Sequence, residues 1–190
     1  MFIFGVIFAL VAGILFGLIG PTTKIAYNSG ASVALTIFLR YAVASIIIIP
    51  FIPYQKNLLE IFKKNLKYFL SISAGSILLT LGLLTSVIFI EVSLTILIFC
   101  LYPIYVLLFS IIVDKEKISL TVKILFFVTF LGIVLVIGPS FKVINIVGIL
   151  LAFLASLGST SMIIVNQKMS IKGISPIPIN IFINVFNTFF

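Results

Sequence analysis

The spacing of the charged residues constrains this chain more than any other feature, because long apolar intervals with almost no charge follow one another from the amino terminus onward. A helix that crosses the hydrocarbon of a bilayer needs about 20 mostly apolar residues. Hydrophobic residues make up 63% of the 190 residues and charged residues only 8%, a composition far from that of water-soluble domains. The sequence therefore predicts an all-helical protein that crosses the lipid bilayer several times.

The apolar intervals predict six complete membrane spans and the beginning of a seventh near Pro178. The predicted spans are residues 2–23, 33–51, 68–90, 92–113, 119–137 and 146–165. The first has neither a basic region before it nor a small-residue cleavage site after it, so we interpret it as a retained helix and not as a signal peptide. The segment QKNLLEIFKKNLKYF before the third span is basic and amphipathic, and we expect it to lie along the membrane surface.

The lysines are distributed unequally among the turns between the predicted spans. The turns after the even-numbered spans have Lys56, Lys63, Lys64, Lys67, Lys115, Lys117, Lys123, Lys168 and Lys172 in or near them. The odd-numbered turns contain only Lys24 and Lys142. Because short cytoplasmic loops collect Lys and Arg, we predict a multi-pass protein of the cell inner membrane with a cytoplasmic amino terminus. Topology thereby explains the net charge of +8, and we expect the lipid bilayer and no nucleic acid as a partner.

Residue types that carry enzyme or metal chemistry are scarce. The chain has one cysteine, Cys100, and no histidine, so we expect neither a disulfide framework nor a metal site built from thiolates and imidazoles. Its four acidic residues, Glu60, Glu91, Asp114 and Glu116, fall in predicted loops or at helix ends, which leaves no carboxylate inside a span to carry a coupling proton. We therefore predict no enzymatic activity, no catalytic residue, no metal site and no cofactor.

An internal similarity appears when the chain is compared with itself at a shift of 143 residues. The identical pairs are Ile3 with Ile146, Gly5 with Gly148, Ala9 with Ala152, Ala12 with Ala155, Gly30 with Gly173 and Ser32 with Ser175. Chance coincidence between two apolar helices is one interpretation. The other is a repeat of five helices, and an odd number of helices makes the second copy enter the membrane from the opposite side, as in the inverted repeats of secondary transporters.

Small residues form a stripe on the first predicted span and recur at the same spacing on the sixth. The stripes are Ala9, Gly13 and Gly17, and Ala152, Ser156 and Thr160. Small residues four apart let two membrane helices approach closely. We therefore predict helix packing at Gly13, Gly17 and Ser156.

Four stretches of the sequence resemble one known family. They are FGLIGPTTK with Gly17 and Lys24, FLRYAVA with Arg40, LYPIYVLLFSIIVDKEKIS with Pro103 and Glu116, and TFLGIVLVIG with Gly132. In order and spacing they are similar to the EamA domain of the drug/metabolite transporter superfamily, whose full-length members commonly carry ten helices as two such domains. The chain departs from the family pattern at Phe16, where a tryptophan is frequent, and at Ile124 and Leu125, where a glycine is usual.

The resemblance implies a truncated ten-helix transporter, with residues 1–140 as a first five-helix repeat and residues 141–190 as an incomplete second, inverted repeat. It also implies a permease that moves a small metabolite or drug by alternating access. Because half of the cavity wall would be missing, we expect the missing second half or a second copy of the chain as a partner. The alternative is a truncated, non-transporting or dimer-forming membrane subunit.

Arg40 lies near the middle of the second predicted span, where an arginine costs at least about 2.5 kcal/mol and is expected to face protein or a water-filled cavity. Two interpretations stay open. Arg40 binds an anionic group of the substrate through its planar donor fork, or it bonds to backbone carbonyls of a neighbouring helix. Lys24, near the outer end of the first span, is expected to extend its ammonium to the interface.

Pro103 lies within the fourth predicted span and removes the backbone donor that would pair with the Phe99 carbonyl, which predicts a kink. The hydroxyls of Tyr102 and Tyr105 flank it, and two roles stay open for them: a bond to that carbonyl or a substrate, or plain helix packing.

Asn180, Asn184 and Asn187 recur at i, i+4 and i+7 of the seventh segment and predict one polar face that turns inward. That face lines a pathway or bonds to neighbouring helices. The candidate substrate-binding residues are Arg40, Tyr102, Pro103, Asn180 and Asn184.

Overall fold

The computed structural model describes residues 2–55, 57–115, 118–137 and 145–189. Within these ranges the chain is helical and has no strand, so the all-helical class is confirmed there. The α-helices are α1 (Phe2–Gly17), α2 (Ile19–Asn28), α3 (Val33–Ile48), α4 (Leu58–Phe89), α5 (Val92–Phe99), α6 (Tyr102–Ile112), α7 (Leu120–Ile137), α8 (Ile146–Ile171) and α9 (Pro176–Thr188). A 3₁₀ helix, Ile49–Tyr54, follows α3. Four charged residues used in the sequence analysis, Lys56, Glu116, Lys117 and Lys142, lie outside the described residues.

Five helical segments of the described chain are long and apolar enough to cross a membrane: Phe4–Asn28, Val33–Pro53, Leu58–Phe89, Val92–Ile112 and Ile146–Ile171. They correspond to predicted spans one to four and six. The shorter apolar helix α7 lies at the fifth predicted span, and α9 contains the predicted start of the seventh. The chain is therefore a membrane protein with several spans.

The basic segment before the third predicted span is part of α4. This helix has non-helical backbone angles at Asn65, with φ of −121° and ψ of 20°. Before this bend, Phe62 packs edge-on against Phe69 and Phe182, with ring centroids 4.8 and 5.3 Å apart. Phe62 of this segment thus packs against protein, whereas Leu59 and Leu66 are exposed, and its location along the membrane surface stays a prediction.

The centre of the bundle is the pair of helices α4 and α8, which pack more extensively than any other pair. Glycines allow this contact. A Cβ added to Gly158 would come within 2.6 Å of the Gly75 carbonyl oxygen and the Leu79 nitrogen. A Cβ added to Gly82 would come within 2.5 Å of the Leu151 carbonyl oxygen. Because the nearest atoms belong to the backbone, α4 and α8 can approach this closely only where side chains are absent.

Two apolar clusters flank this pair. The larger joins α3, α4, α8 and α9 through Tyr41, Phe69, Ile72, Met169, Ile179 and Ile183. The smaller joins α4, α5 and α8 through Leu79, Leu83, Phe99 and Ala155. Both use α4, so this helix links the amino-terminal helices to α8 and α9.

The kink predicted from Pro103 is present as a break between α5 and α6 at Cys100 and Leu101. Pro103 occupies the first turn of α6, a position where a missing backbone N–H removes no helical hydrogen bond. A second, milder interruption separates α1 from α2 at Leu18, whose nitrogen still donates to the Ile14 carbonyl at 3.2 Å.

The helix boundaries repeat at the same shift of 143 residues. α2 and α8 end at Asn28 and Ile171, and α3 and α9 begin at Val33 and Pro176. The turns between them have matching conformations. Gly30 and Gly173 have φ of +90° and +75°, values that favour glycine. Backbone nitrogens close the turns in the same way, Ala31 N to Ala26 O at 3.0 Å and Ile174 N to Met169 O at 3.1 Å.

Candidate functional site

An apolar cavity of about 260 Å³ lies among α1, α2, α4, α5 and α6. Its lining residues are Phe16, Gly17, Ile19, Gly20, Leu83, Leu84, Val87, Val92, Thr95, Ile96, Phe99, Cys100 and Tyr102. None of these side chains is a carboxylate, an ammonium or a guanidinium, and the polar ones are one hydroxyl, one thiol and one phenol. Apolar walls with a few polar groups are typical of pockets for small organic molecules.

Two interruptions of the helices border this cavity, at Leu18 and at Cys100 with Leu101. Membrane transporters commonly build their substrate sites from discontinuous helices, since unwound backbone offers polar groups inside the bilayer. The cavity therefore lies where the chain departs from regular helices.

Glycines shape the wall that α1 and α2 contribute. A Cβ on Gly20 would come within 2.6 Å of Val92 Cγ1, so this glycine allows α2 to approach α5. A Cβ on Gly17 would meet no atom within 4 Å, so the missing side chain leaves open space. The ring of Phe99 lies on the α5 side, with its centroid 6.0 Å from that of Phe16.

An adjoining cleft of about 330 Å³ lies between α6 and α7 and includes Cys100 and Pro103 in its lining. Cys100 borders both spaces. Within the described chain, neither the Tyr102 nor the Tyr105 hydroxyl forms a hydrogen bond. The Tyr102 carbonyl accepts one from Thr160 Oγ1 at 3.4 Å, which ties the beginning of α6 to α8.

A buried hydroxyl network joins α3, α4 and α9, and the sequence analysis missed it. Tyr41 Oη bonds to Ser76 O at 3.0 Å, Ser76 Oγ at 2.9 Å and Thr80 Oγ1 at 2.8 Å. Ser73 Oγ donates to Asn187 Oδ1, and Asn187 Nδ2 is buried without a partner among the described residues. The available signal was the spacing of Ser73, Ser76 and Thr80 at i, i+3 and i+7, which places three hydroxyls on one face of an apolar helix.

Arg40 is half-buried on α3 and does not line the apolar cavity. No hydrogen bond or ion pair connects its guanidinium to the described part of the chain. Arg40 precedes Tyr41 of the hydroxyl network in the sequence, whereas Tyr102 lines the apolar cavity.

The three asparagines of α9 do not share one environment. Asn187 is 3% exposed, whereas Asn180 is exposed and Asn184 is half-buried. Asn180 Nδ2 donates to the Pro176 carbonyl at 3.0 Å, and Asn184 Nδ2 to the Asn180 carbonyl at 2.8 Å. Asn180 is thus exposed among the described helices, and the inward polar face stays a prediction for it. Each of these two amides satisfies a carbonyl of its own helix, and both side chains line an open cleft beside α3.

Lys24 contacts another helix. Its Nζ donates to the Val87 carbonyl at 3.1 Å, near the carboxyl end of α4. A cation there is favourable because the last carbonyls of a helix have no partner in the helix and carry its negative dipole end.

The predicted packing residues lie in different surroundings. Ser156 is fully buried on α8, and its hydroxyl has no partner among the described residues. A Cβ on Gly13 would meet no described atom within 4 Å, and Gly17 lines the cavity.

These features define a helical membrane protein with a solute-sized apolar cavity between interrupted spans. The model of the EamA-like transporter family matches residues 3–138, more than two thirds of the chain. The chain belongs to the EamA-like transporter family, within the drug/metabolite transporter superfamily. Members of this family are transporters and not enzymes. No curated protein and no solved structure matches the chain.

Proposed function

We propose that this protein is a permease that moves a small metabolite or drug across the cell inner membrane by alternating access. The observation that carries the proposal is the apolar cavity among α1, α2, α4, α5 and α6, bordered by two helix interruptions in a chain of a transporter family. A site that opens alternately to the two sides needs helices that bend near the substrate, and breaks at Leu18 and Cys100 offer such positions.

The lining indicates the chemistry of the solute. Thr95 Oγ1 already bonds to Ser86 Oγ at 2.7 Å, which leaves the thiol of Cys100 and the phenol of Tyr102 as the free polar side-chain groups of the wall. A solute with an apolar body and one or two neutral polar groups fits such a wall, since an unpaired charge there would lack a partner. An anionic group at Arg40 stays a separate proposal.

We further propose that the two halves are inverted repeats. The matching turns at Gly30 and Gly173 support this. A second support is the hydrogen bond of 3.2 Å between Ser45 Oγ and Thr188 Oγ1, because these residues are themselves 143 positions apart. In two copies related by a two-fold axis, equivalent residues contact each other where the axis passes between them.

The repeat predicts what packs on α1. Gly148, Ala152, Ala155 and Ser156 are buried against α4 and α5, whereas their equivalents on α1 are exposed: Gly5, Ala9, Ala12 and Gly13. In a second copy of the chain, the α4 face that could pack on this α1 face is already covered by that copy's own α8. We therefore propose that a helix of a second repeat covers this α1 face, and that a second copy of the chain does so less readily. A purified 190-residue protein that is dimeric by light scattering and transports alone after reconstitution would contradict this preference.

Cys100 offers a direct test of alternating access because it is the chain's single cysteine and lines the cavity. We expect a small membrane-impermeant methanethiosulfonate to label Cys100 both in right-side-out and in inverted vesicles, since a transporter exposes its site to each side in turn. The Cys100→Ser variant is the control for specific labelling.

The alternative function, a non-transporting membrane subunit, predicts a different result. Its Cys100 would be labelled from one side or from neither. That outcome, together with no flux of leucine or ethidium above protein-free vesicles, would argue against a permease.

We also propose that the amino terminus is cytoplasmic. In a Cys100→Ser background, cysteines placed near Lys64 and Lys168 are expected to react with impermeant reagent only from the cytoplasm, and one near Lys142 only from outside. External labelling near Lys64 would overturn this topology.

A further inference from the structure

A second space, separate from the apolar cavity, lies among α4, α6 and α8 at the end of the bundle where α4 begins. This cleft has a volume of about 570 Å³. Its lining residues are Lys67, Tyr68, Ser71, Phe109, Leu157, Thr160, Ser161, Ile164, Val165 and Lys168. Its described lining residues include two ammonium groups and no carboxylate, so it favours a ligand with negative charge.

Aromatic rings of the cleft hold the cations near its mouth. Lys168 Nζ lies 5.3 Å from the ring centroid of Phe109, and Lys172 Nζ lies 4.0 Å from that of Tyr68. Both rings line the cleft. The face of an aromatic ring attracts an ammonium group placed above it. Lys67 and Lys168 therefore line the cleft, and Lys172, which does not line it, contacts the ring of Tyr68.

The cleft also has apolar walls. Ile164 and Val165 of α8 and Phe109 of α6 form its walls, and Leu157, which is 49% exposed, leaves it open to the side. Lys168 and Thr160 are eight residues apart on α8, which corresponds to about 12 Å along a helix. On α8, Ser161 lies about one turn beyond Ile164 from Lys168, and on α4, Ser71 lies about one turn after Lys67.

We propose that this cleft binds one anionic phospholipid. Lys67 and Lys168 contact its phosphate, Ser71 and Ser161 lie at the level of its glycerol esters, and one acyl chain lies along Leu157. Basic pockets between membrane helices are suited to acidic headgroups. Lys168 lies in the last turn of α8, and Lys67 follows the bend of α4 at Asn65. A soluble phosphate compound shares the phosphate chemistry but would leave the apolar wall without a ligand.

The test uses the full chain, purified in an uncharged detergent and washed free of lipid. We expect dioleoyl phosphatidylglycerol to bind as one molecule per protein in native mass spectrometry. Dioleoyl phosphatidylcholine, which carries no net charge, is expected to bind much more weakly. Glycerol 3-phosphate supplies the phosphate without acyl chains, and we expect no binding of it at the same concentration.

The Lys67→Gln and Lys168→Gln variants are expected to weaken phosphatidylglycerol binding about fivefold each, the effect of one lysine near an anionic surface. Lys63→Gln is the matched control, because Lys63 is exposed on the same helix and does not line the cleft. Ser161→Leu fills the cleft without a change of charge and is expected to weaken binding as well.

Equal losses in the Lys63→Gln and Lys168→Gln variants would show a diffuse surface attraction and would overturn the proposal. Binding of glycerol 3-phosphate as tight as that of the lipid would replace the lipid by a soluble phosphate compound and would overturn it too. The inference does not rest on the proposed transport function, since lipid binding is measured without flux.

Discussion

A close contact between α4 and α8 gives a sharp prediction about stability. In the Gly158→Ala variant, the new Cβ would lie 2.6 Å from the Gly75 carbonyl oxygen and from the Leu79 nitrogen. Backbone atoms cannot rotate away as a side chain can, so α4 and α8 must separate. Overpacking of this kind costs about 1–3 kcal/mol of the free energy of unfolding.

Gly132→Ala is the matched control. Gly132 lies inside α7, and a Cβ there would meet no described atom within 4 Å. Alanine is the better helix former by about 0.5–1 kcal/mol, so this variant is expected to be slightly more stable than the wild type. Both variants gain the same helix propensity, so they should differ by the overpacking cost alone, about 1–3 kcal/mol.

The assay is equilibrium unfolding of the purified protein by increasing mole fractions of sodium dodecyl sulfate in mixed micelles, followed by far-ultraviolet circular dichroism. Gly82→Ala, whose Cβ would lie 2.5 Å from the Leu151 carbonyl oxygen, is expected to shift the midpoint in the same direction as Gly158→Ala. If Gly158→Ala unfolds at or above the wild-type midpoint, the close approach of α4 and α8 is not the source of this stability and the reasoning is refuted.

Three further predictions use the polar residues of the membrane spans. Tyr41→Phe removes a buried hydroxyl with three partners and is expected to lower the free energy of unfolding by about 1–3 kcal/mol in the same titration, whereas Tyr105→Phe should be near wild type. Arg40→Lys keeps the charge but loses the planar fork, so we expect loss of transport with normal insertion; normal transport together with poor expression of Arg40→Ala would indicate a structural role instead. Lys24→Met removes the contact with the Val87 carbonyl and is expected to cost about 1 kcal/mol, measured in the same way, and an unchanged midpoint would contradict this.

Local chemistry determined much of the fold. Hydropathy predicted the positions of the spans, because the cost of an unpaired backbone group in hydrocarbon enforces helices of membrane length. Pro103 predicted the break between α5 and α6, since a proline cannot donate the helical hydrogen bond. The turns at Gly30 and Gly173 likewise follow from single residues, because a left-handed backbone favours glycine.

The tertiary structure decided which faces of these helices meet. Gly13 and Ser156 have the same place in the repeated small-residue stripe, yet Ser156 is buried and Gly13 borders open space. Asn180 and Asn187 were predicted to share one face, yet Asn187 bonds to Ser73 and Asn180 only to its own helix. In a chain this apolar, lipid-facing and protein-facing sides have nearly the same polarity, so hydropathy does not distinguish them. Steric fit between neighbouring helices makes that choice, and it depends on partners that are distant in the sequence.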